Sequence, residues 1–575
     1  MHILDYLIML GYALGMLLIG AMLSRRNGNA TAMFAAGRQS PWWLSGLSAY
    51  MSAFSAATFV VWGGIAYKSG MVAVSISMCL GVSSFLIGML LAGRWQQSGI
   101  SSAAEFARIR FGEAAVQFYT WTGMLFKLVA MGVAVYAFST MVSALIPLPP
   151  GHPLASAATG KLSVEYTILA ASLIMLVYTA AGGLWAVLVT DAVQFIVLMI
   201  TVLFVVPAAL QYAGGPAKFV AAVPETFFSP VNGTFTWLFL TGWVVVHFFR
   251  YGGEWIYIQR FLCVPTARDA RWSSYLFGGL YLISPIIWML PPMIYRAVDP
   301  AAAPEQAYIL MCLRVLPAGM LGLMVAAMFS ATASGVGGEI NVFAGVLTRD
   351  FYQRWLRPGA GQRHLVAIGR LLTVILGVFL TGVALLVPYL GGAEKIVLTI
   401  SGLVAAPMVI PMIWGLLSRK IGQSAIWLST APSLLLGAWL EFGLPGLTPN
   451  ALSAWMMAHT QFMEVAIGTT VPLGVLLVLE MTTTREHPGY AQLQVLRQHA
   501  GERKATVASG FPARLMAGSL LVLALVMLVL GLVNQKAFGL LVGFAGVLFG
   551  IGMLVFWLSH RMEKKSAFNL RQQLH

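Results

Sequence analysis

The sequence predicts an all-α polytopic membrane protein with about fifteen transmembrane helices, since each crossing needs about 20 apolar residues. Three observations carry that prediction. Of 575 residues, 59% are hydrophobic and only 9% charged, far below the roughly 25% charged of a soluble domain. Apolar runs of bilayer-spanning length recur from Leu4 to Leu558. The 34 Lys plus Arg outnumber the 19 Asp plus Glu for a net charge of +15, and the basic residues sit in short loops between apolar runs, which is a topology signal and not a nucleic-acid footprint. Cys79, Cys263 and Cys312 show neither pairing nor metal spacing, so no disulfide framework or zinc site is expected.

Gly, Pro and charge punctuation places spans at 3 to 23, 42 to 66, 71 to 93, 117 to 147, 163 to 182 and 184 to 211. Further spans fall at 234 to 262, 273 to 298, 317 to 347, 363 to 388, 393 to 418, 421 to 441, 461 to 481, 515 to 534 and 537 to 559. The first run lacks a basic leader and stops at Arg25 and Arg26, so it is expected to stay as a helix and not be cleaved. With the N-terminus outside, alternate loops facing the cytoplasm carry Arg38, then Arg94, Arg108 and Arg110, then Arg260, Arg268 and Arg271, and later Arg349, Arg354, Arg419 and Lys420. Arg503, Lys504 and the tail from Arg561 agree, whereas the opposite loops carry little beyond Lys161, Lys218, Arg296, Arg314 and Lys395. Positive residues inside therefore put the C-terminus in the cytoplasm. The expected location is a plasma membrane, that of a bacterium.

The segment 482 to 513 reads as a cytoplasmic linker before a terminal hairpin and tail, 514 to 575. No H-E-x-x-H, Walker A or G-x-S-x-G string occurs, so ATP hydrolysis and the commonest hydrolytic chemistries have no foothold. Coupled or passive transport remains, with a small solute and the lipid bilayer as partners and no nucleic acid.

Three segments go beyond composition. Gly37-Arg38-Gln39-Ser40-Pro41-Trp42-Trp43 leads into Ser52-Ala53-Phe54-Ser55-Ala56-Ala57-Thr58-Phe59, where an interfacial Arg and paired Trp precede a small, hydroxyl-rich span centre. Gly182-Gly183-Leu184-Trp185 continues to Thr190-Asp191-Ala192-Val193-Gln194. Leu316-Pro317-Ala318-Gly319 runs through Ala331-Thr332-Ala333-Ser334 to Asn341 and Thr348-Arg349-Asp350. With Gln259-Arg260 closing the seventh span, these resemble the sodium:solute symporter family over about residues 1 to 480. The resemblance implies a LeuT-like fold with 5+5 inverted repeats, 42 to 211 and 234 to 418 within a core of 42 to 418, an extra helix in 1 to 41, and additional family helices in 419 to 481. The opening span of each half is itself interrupted, at Ser52 to Thr58 and at Arg250-Tyr251-Gly252-Gly253, and corresponding broken helices point to a midplane site.

What the resemblance implies for the cation is a sodium held by the carbonyls of Met51, Phe54 and Ala331 and the hydroxyl of Ser334, supported by Asp191. The sequence departs at Gly335, Gly337 and Gly338, where hydroxyls stand in relatives. A hard cation replaces its water shell with several oxygens, so Glu339, one helical turn after Gly335, is a candidate carboxylate for a cation or a proton. The solute candidates are Thr58, Ser77, His247, Arg250 and Glu254; the last two can also neutralise each other at i, i+4. Thr58 and Ser77 replace polar residues of sugar-carrying relatives, so sugar specificity of that kind is not implied. Lys127 is assigned to snorkelling or pairing. The expected activity is sodium-coupled symport of a small polar organic solute by alternating access, without an enzymatic cofactor. Proton coupling, uncoupled uptake, or a non-transporting sensor or partner subunit remain as alternatives.

Overall fold

A computed structural model describes residues 1–24, 38–149, 151–156, 159–178, 184–446, 450–502 and 510–574. Arg25, Arg26, Gly37, Gly182, Gly183, Arg503 and Lys504 lie outside the described residues, as do the side chains of Trp185, Asn341, Arg349, Asp350 and Arg354 and those from residue 561 onward. Among the described residues the chain is helical, with two isolated β-bridges in one loop, Pro147 with Lys161 and Ala155 with Leu162.

Helix α1 (Ile3–Ser24) precedes a first half that opens on a broken helix, α2 (Trp42–Ser52) and α3 (Gly63–Ser69), linked by the π-helical turn Thr58–Trp62. It continues through α4 (Met71–Ile87), a short surface helix α5 (Ala103–Phe111), α6 (Glu113–Leu145), α7 (Val164–Tyr178) and α8 (Leu184–Tyr212). The second half also opens on a broken helix, α9 (Trp237–Gly253) and α10 (Trp255–Leu262). It continues through α11 (Ala267–Val298), a short α12 (Ala307–Val315), α13 (Met320–Val346) and α14 (Gln362–Leu386). It closes with α15 (Gly392–Thr399) and α16 (Ala406–Leu417), joined by the π-helical stretch Ile400–Ala405. Beyond it lie α17 (Gln423–Ala438), α18 (Thr460–Thr482), α19 (Pro488–Glu502), α20 (Phe511–Val533) and α21 (Phe538–Leu574).

Eleven of the predicted spans are helices long and apolar enough, by length and composition, to cross a membrane. The others are α1, the two broken helices and the run that begins with α7. The two halves share one order of elements, and their short helices α5 and α12 fall on opposite faces, as an inverted repeat requires. The second helices of the halves meet through glycine. A Cβ on Gly81 would come within 2.9 Å of the Gly278 carbonyl oxygen, and one on Gly278 within 2.9 Å of the Gly81 carbonyl oxygen. Absent side chains let the backbones of α4 and α11 approach, the usual solution in a lipid-embedded bundle.

Two long-range caps lock the bundle ends. Asp5 of α1 is buried and its Oδ1 accepts the amides of Gly319 at 2.7 Å and Gly322 at 3.0 Å, so it caps the first turn of α13 in trans. On the opposite face Arg110 of α5 is fully buried and donates to the carbonyls of Gly415 at 3.1 Å and Ser418 at 3.0 Å, the C-terminal end of α16. Burial pulls its guanidinium down to about 10. Arg497 adds a bond to the Leu416 carbonyl at 3.3 Å. The segment read as a linker thus contains a helix, α19, docked on α5.

Candidate functional site

The first break begins where α2 ends at Ser52. The Met51 carbonyl accepts the Phe54 amide at 3.0 Å, which leaves one lone pair free for another partner. The Ala56 amide then leaves its own helix and donates to Thr332 Oγ1 at 3.2 Å, while Thr332 donates back to Met328 O at 2.9 Å. This tie fixes α13 against the break, with Ala331 and half-buried Ser334 beside the contact. Thr58 is buried, and its hydroxyl accepts the Ser55 amide at 3.3 Å. Of the glycines predicted to erode the cation site, Gly335 and Gly338 are not demanded by packing. A Cβ on Gly335 would meet only Met131 Sδ, at 3.9 Å, and one on Gly338 would meet nothing within 4 Å.

Asp191 projects from α8 into the same region and is buried. It accepts the Ser48 hydroxyl at 2.6 Å, and Arg260 stands 3.9 Å away. The guanidinium also donates to Ser48 at 3.0 Å, Ser52 at 3.2 Å and Gln259 at 3.1 Å. The carboxylate is therefore neutralised by a fixed side-chain cation at the end of α10, and it reaches α2 through a shared serine. Three residues along α8, Gln194 donates to Ser330 of α13 at 2.7 Å. One helix face thus ties α2, α10 and α13 together.

The second break falls one residue later than the sequence indicated. Gly252 and Gly253 stay helical, and the chain unwinds at Glu254, with φ −69° and ψ 135°. The glycines serve packing: a Cβ would stand 2.6 Å from Leu91 at Gly252 and 2.3 Å from Val409 at Gly253. At Glu254 a charge quartet gathers from three helices. Lys127 of α6 lies 2.8 Å from Glu254 and 3.5 Å from Glu339 of α13, and Arg250 Nε lies 3.8 Å from Glu254. Arg250 also donates to Ser401 in the π-helical stretch at 2.6 Å. The charges balance, and each side chain is largely buried, at 21%, 13%, 14% and 21% exposure for Lys127, Glu254, Glu339 and Arg250.

Arg250 and Glu254 touch, as their i, i+4 spacing allows, and each is also held by another group, Ser401 and Lys127 respectively. Glu339 is paired with Lys127 and not simply solvated. His247 is buried between the rings of Trp243 and Tyr251, with centroids at 4.8 and 5.2 Å. Along this face of α9, Trp243 Nε1, His247 Nδ1 and Arg250 Nε are buried without a hydrogen-bond partner among the described residues. Ser77 stands apart: its hydroxyl bonds back to Ala73 O at 2.8 Å, and it shares the helical face of Gly81 that packs on α11. Sequence reasoning missed the centrality of Lys127. The available signal was its position deep in the α6 span, where an ionisable side chain is a functional candidate by default.

The family model "Sodium:solute symporter family" matches residues 33–429. The sodium/glucose cotransporter of Vibrio parahaemolyticus is 24% identical over 442 residues, covering 71% of this chain and 79% of the relative. The sodium/glucose cotransporter 2 of Rattus norvegicus is 25% identical over 65% of this chain, which spans only 61% of that longer protein. Among solved structures, a substrate-bound outward-open Na+-coupled sialic acid symporter superposes with a TM-score of 0.64 at 18% identity, covering 83% of this chain and 98% of the other. At that identity the likeness speaks for the fold alone.

Proposed function

Because the chain belongs to the sodium:solute symporter family, we propose that it imports a small polar organic solute together with sodium by alternating access. The observation that carries this reading is the Ala56–Thr332 tie, which sets the unwound backbone of the first broken helix against the helix bearing Ala331 and Ser334. Backbone carbonyls freed at such a break are suited to a cation. Met51, Phe54, Ala331 and Ser334 are the proposed ligands, with Asp191 holding α2 and Gln194 of the same helix holding α13 from behind. Trp243 Nε1 and His247 Nδ1, without a hydrogen-bond partner among the described residues, suit a polar solute, because buried polar groups are normally satisfied. Glu254 and Thr58 complete the proposed solute region, and Ser77 contributes through packing.

The chain is oriented in this reading with Asp5 outside and Arg110 in the cytoplasm, as the basic residues at the helix ends near Arg94, Arg110, Arg260 and Arg419 favour. One sodium entering down 100 mV supplies about 2.3 kcal/mol, roughly fiftyfold accumulation at one-to-one coupling. Proton coupling is the second reading, favoured by the Lys127–Glu339 contact one turn from Gly335. Uptake into proteoliposomes under an inward sodium gradient, an inward proton gradient or neither decides between them. Sodium-driven uptake lost in Ser334→Ala supports the first reading. Uptake indifferent to sodium but abolished in Glu339→Gln supports the second.

A further inference from the structure

Away from both helix breaks, the face that carries Asp5 holds a cavity of about 420 Å³ between α15, the end of α17 and the start of α18. That volume falls within the range of small-molecule sites, about 300 to 1,000 Å³. Its walls are apolar at Leu398, Leu440 and Met457, polar at Thr399, Gln461 and Glu464, and charged at Glu394, Lys395 and Glu441.

The polar groups are unevenly matched. Glu464 is 4% exposed and accepts the Thr399 hydroxyl at 2.9 Å, yet no Lys or Arg pairs with it among the described residues. The neighbouring charges are already engaged, Lys395 with Glu441 at 2.5 Å and Glu394 with Lys68. Gln461 Oε1 is buried without a hydrogen-bond donor. A buried carboxylate without a cation and a buried carbonyl without a donor both call for the same partner, one that brings positive charge and N–H groups. An ammonium offers three donors and no acceptor, matching Glu464, the Gln461 carbonyl and the free lone pair of Thr399. Among the described residues no group of three or more His, Cys, Asp or Glu could hold a metal ion, and the apolar walls suit carbon.

We propose that this cavity is a second binding site, for the primary ammonium group of a small organic solute, with Glu464 as its counter-charge. The site also touches the transport path. Thr399 stands two residues before Ser401, which holds Arg250, so a ligand here and the charge quartet grip one turn from two sides. The assignment does not depend on which ion drives transport.

Calorimetric titration of the full-length protein in detergent near neutral pH, with n-butylammonium chloride as the probe, tests it. Saturable binding is expected, weakened about tenfold or more in Glu464→Gln, the usual loss for a charge-assisted bond. Tetramethylammonium, with equal charge and no N–H, is expected to bind about tenfold more weakly than n-butylammonium. Met457→Trp, which fills the cavity from an exposed wall and leaves Glu464 intact, is expected to abolish binding, and it serves if Glu464→Gln does not elute as a folded protein. No saturable binding, unchanged affinity in either folded variant, or sodium or tetramethylammonium binding as tightly as n-butylammonium overturns the proposal.

Discussion

The Lys127 ammonium lies 2.8 Å from the Glu254 carboxylate, at the single residue where the second broken helix leaves its helical path. Removing one partner leaves the other as a desolvated charge. Lys127→Met is expected to lower unfolding stability by about 3 kcal/mol, and Lys127→Met with Glu254→Gln to recover only part of that loss, since Glu339 still lacks its cation. Thermal unfolding of the four proteins of this double-mutant cycle gives the coupling; additive effects would show that the pair contributes nothing.

Gly335→Ser tests the proposed cation site. The new side chain has room, because Met131 Sδ is the nearest atom at 3.9 Å. An added hydroxyl beside Ser334 is expected to lower the half-maximal sodium concentration for uptake about fivefold, roughly the worth of one hydrogen-bond-like contact, without loss of stability. Sodium dependence that does not change would place the ion elsewhere.

A third test concerns the packing of α18 on the π-helical stretch. A Cβ on Gly468 would stand 1.9 Å from the Gly402 carbonyl oxygen, a backbone atom that cannot rotate away. Gly468→Ala is expected to cost about 2 kcal/mol or more. On the same helix Gly474 has nothing within 4 Å, so Gly474→Ala is expected to be neutral or slightly stabilising. Equal melting temperatures for the two variants would contradict the close approach.

The docking of α19 is expected to depend on pH through His487. Burial and the nearby Arg110 hold this imidazole below its ordinary 6.5, and its Nδ1 accepts the Gly489 amide at 3.2 Å, which needs the neutral ring. The native state therefore binds fewer protons than the unfolded one just below 6.5. Docking is fully stabilised above that value and weakens as pH falls through it. Hydrogen exchange of Pro488–Glu502 is expected to quicken, beyond its intrinsic pH dependence, between neutral and acidic buffer in the native protein and not in His487→Gln.

Much of this was legible in the linear sequence because bilayer-spanning length and small-residue clusters are local properties. The Ser52 to Thr58 run broke where expected, since small hydroxyl residues can satisfy unwound backbone. The second break was misplaced by one residue for a physical reason. Glycine marks either unwinding or close packing, and Gly252 and Gly253 are packed against Leu91 and Val409. The charge quartet was not legible, because Lys127 finds its partners 127 and 212 positions further on and no periodicity connects them. The amphipathic helices α5 and α19 escaped for the opposite reason: they are too short and polar to stand out from loops until each is docked against the other.

The trans cap on α13 has a consequence for biogenesis. Ribosomes deliver α1 to the membrane long before Gly319 and Gly322 emerge, so the carboxylate that completes α13 is waiting when that helix inserts. A chain shortened at its start would still thread α13 through the bilayer, but two amides at the head of the helix that bears Ser334 would lack their acceptor. Helix α1 thus acts on a helix some three hundred positions away in the chain: the head of α13 has its acceptor only where α1 is in place.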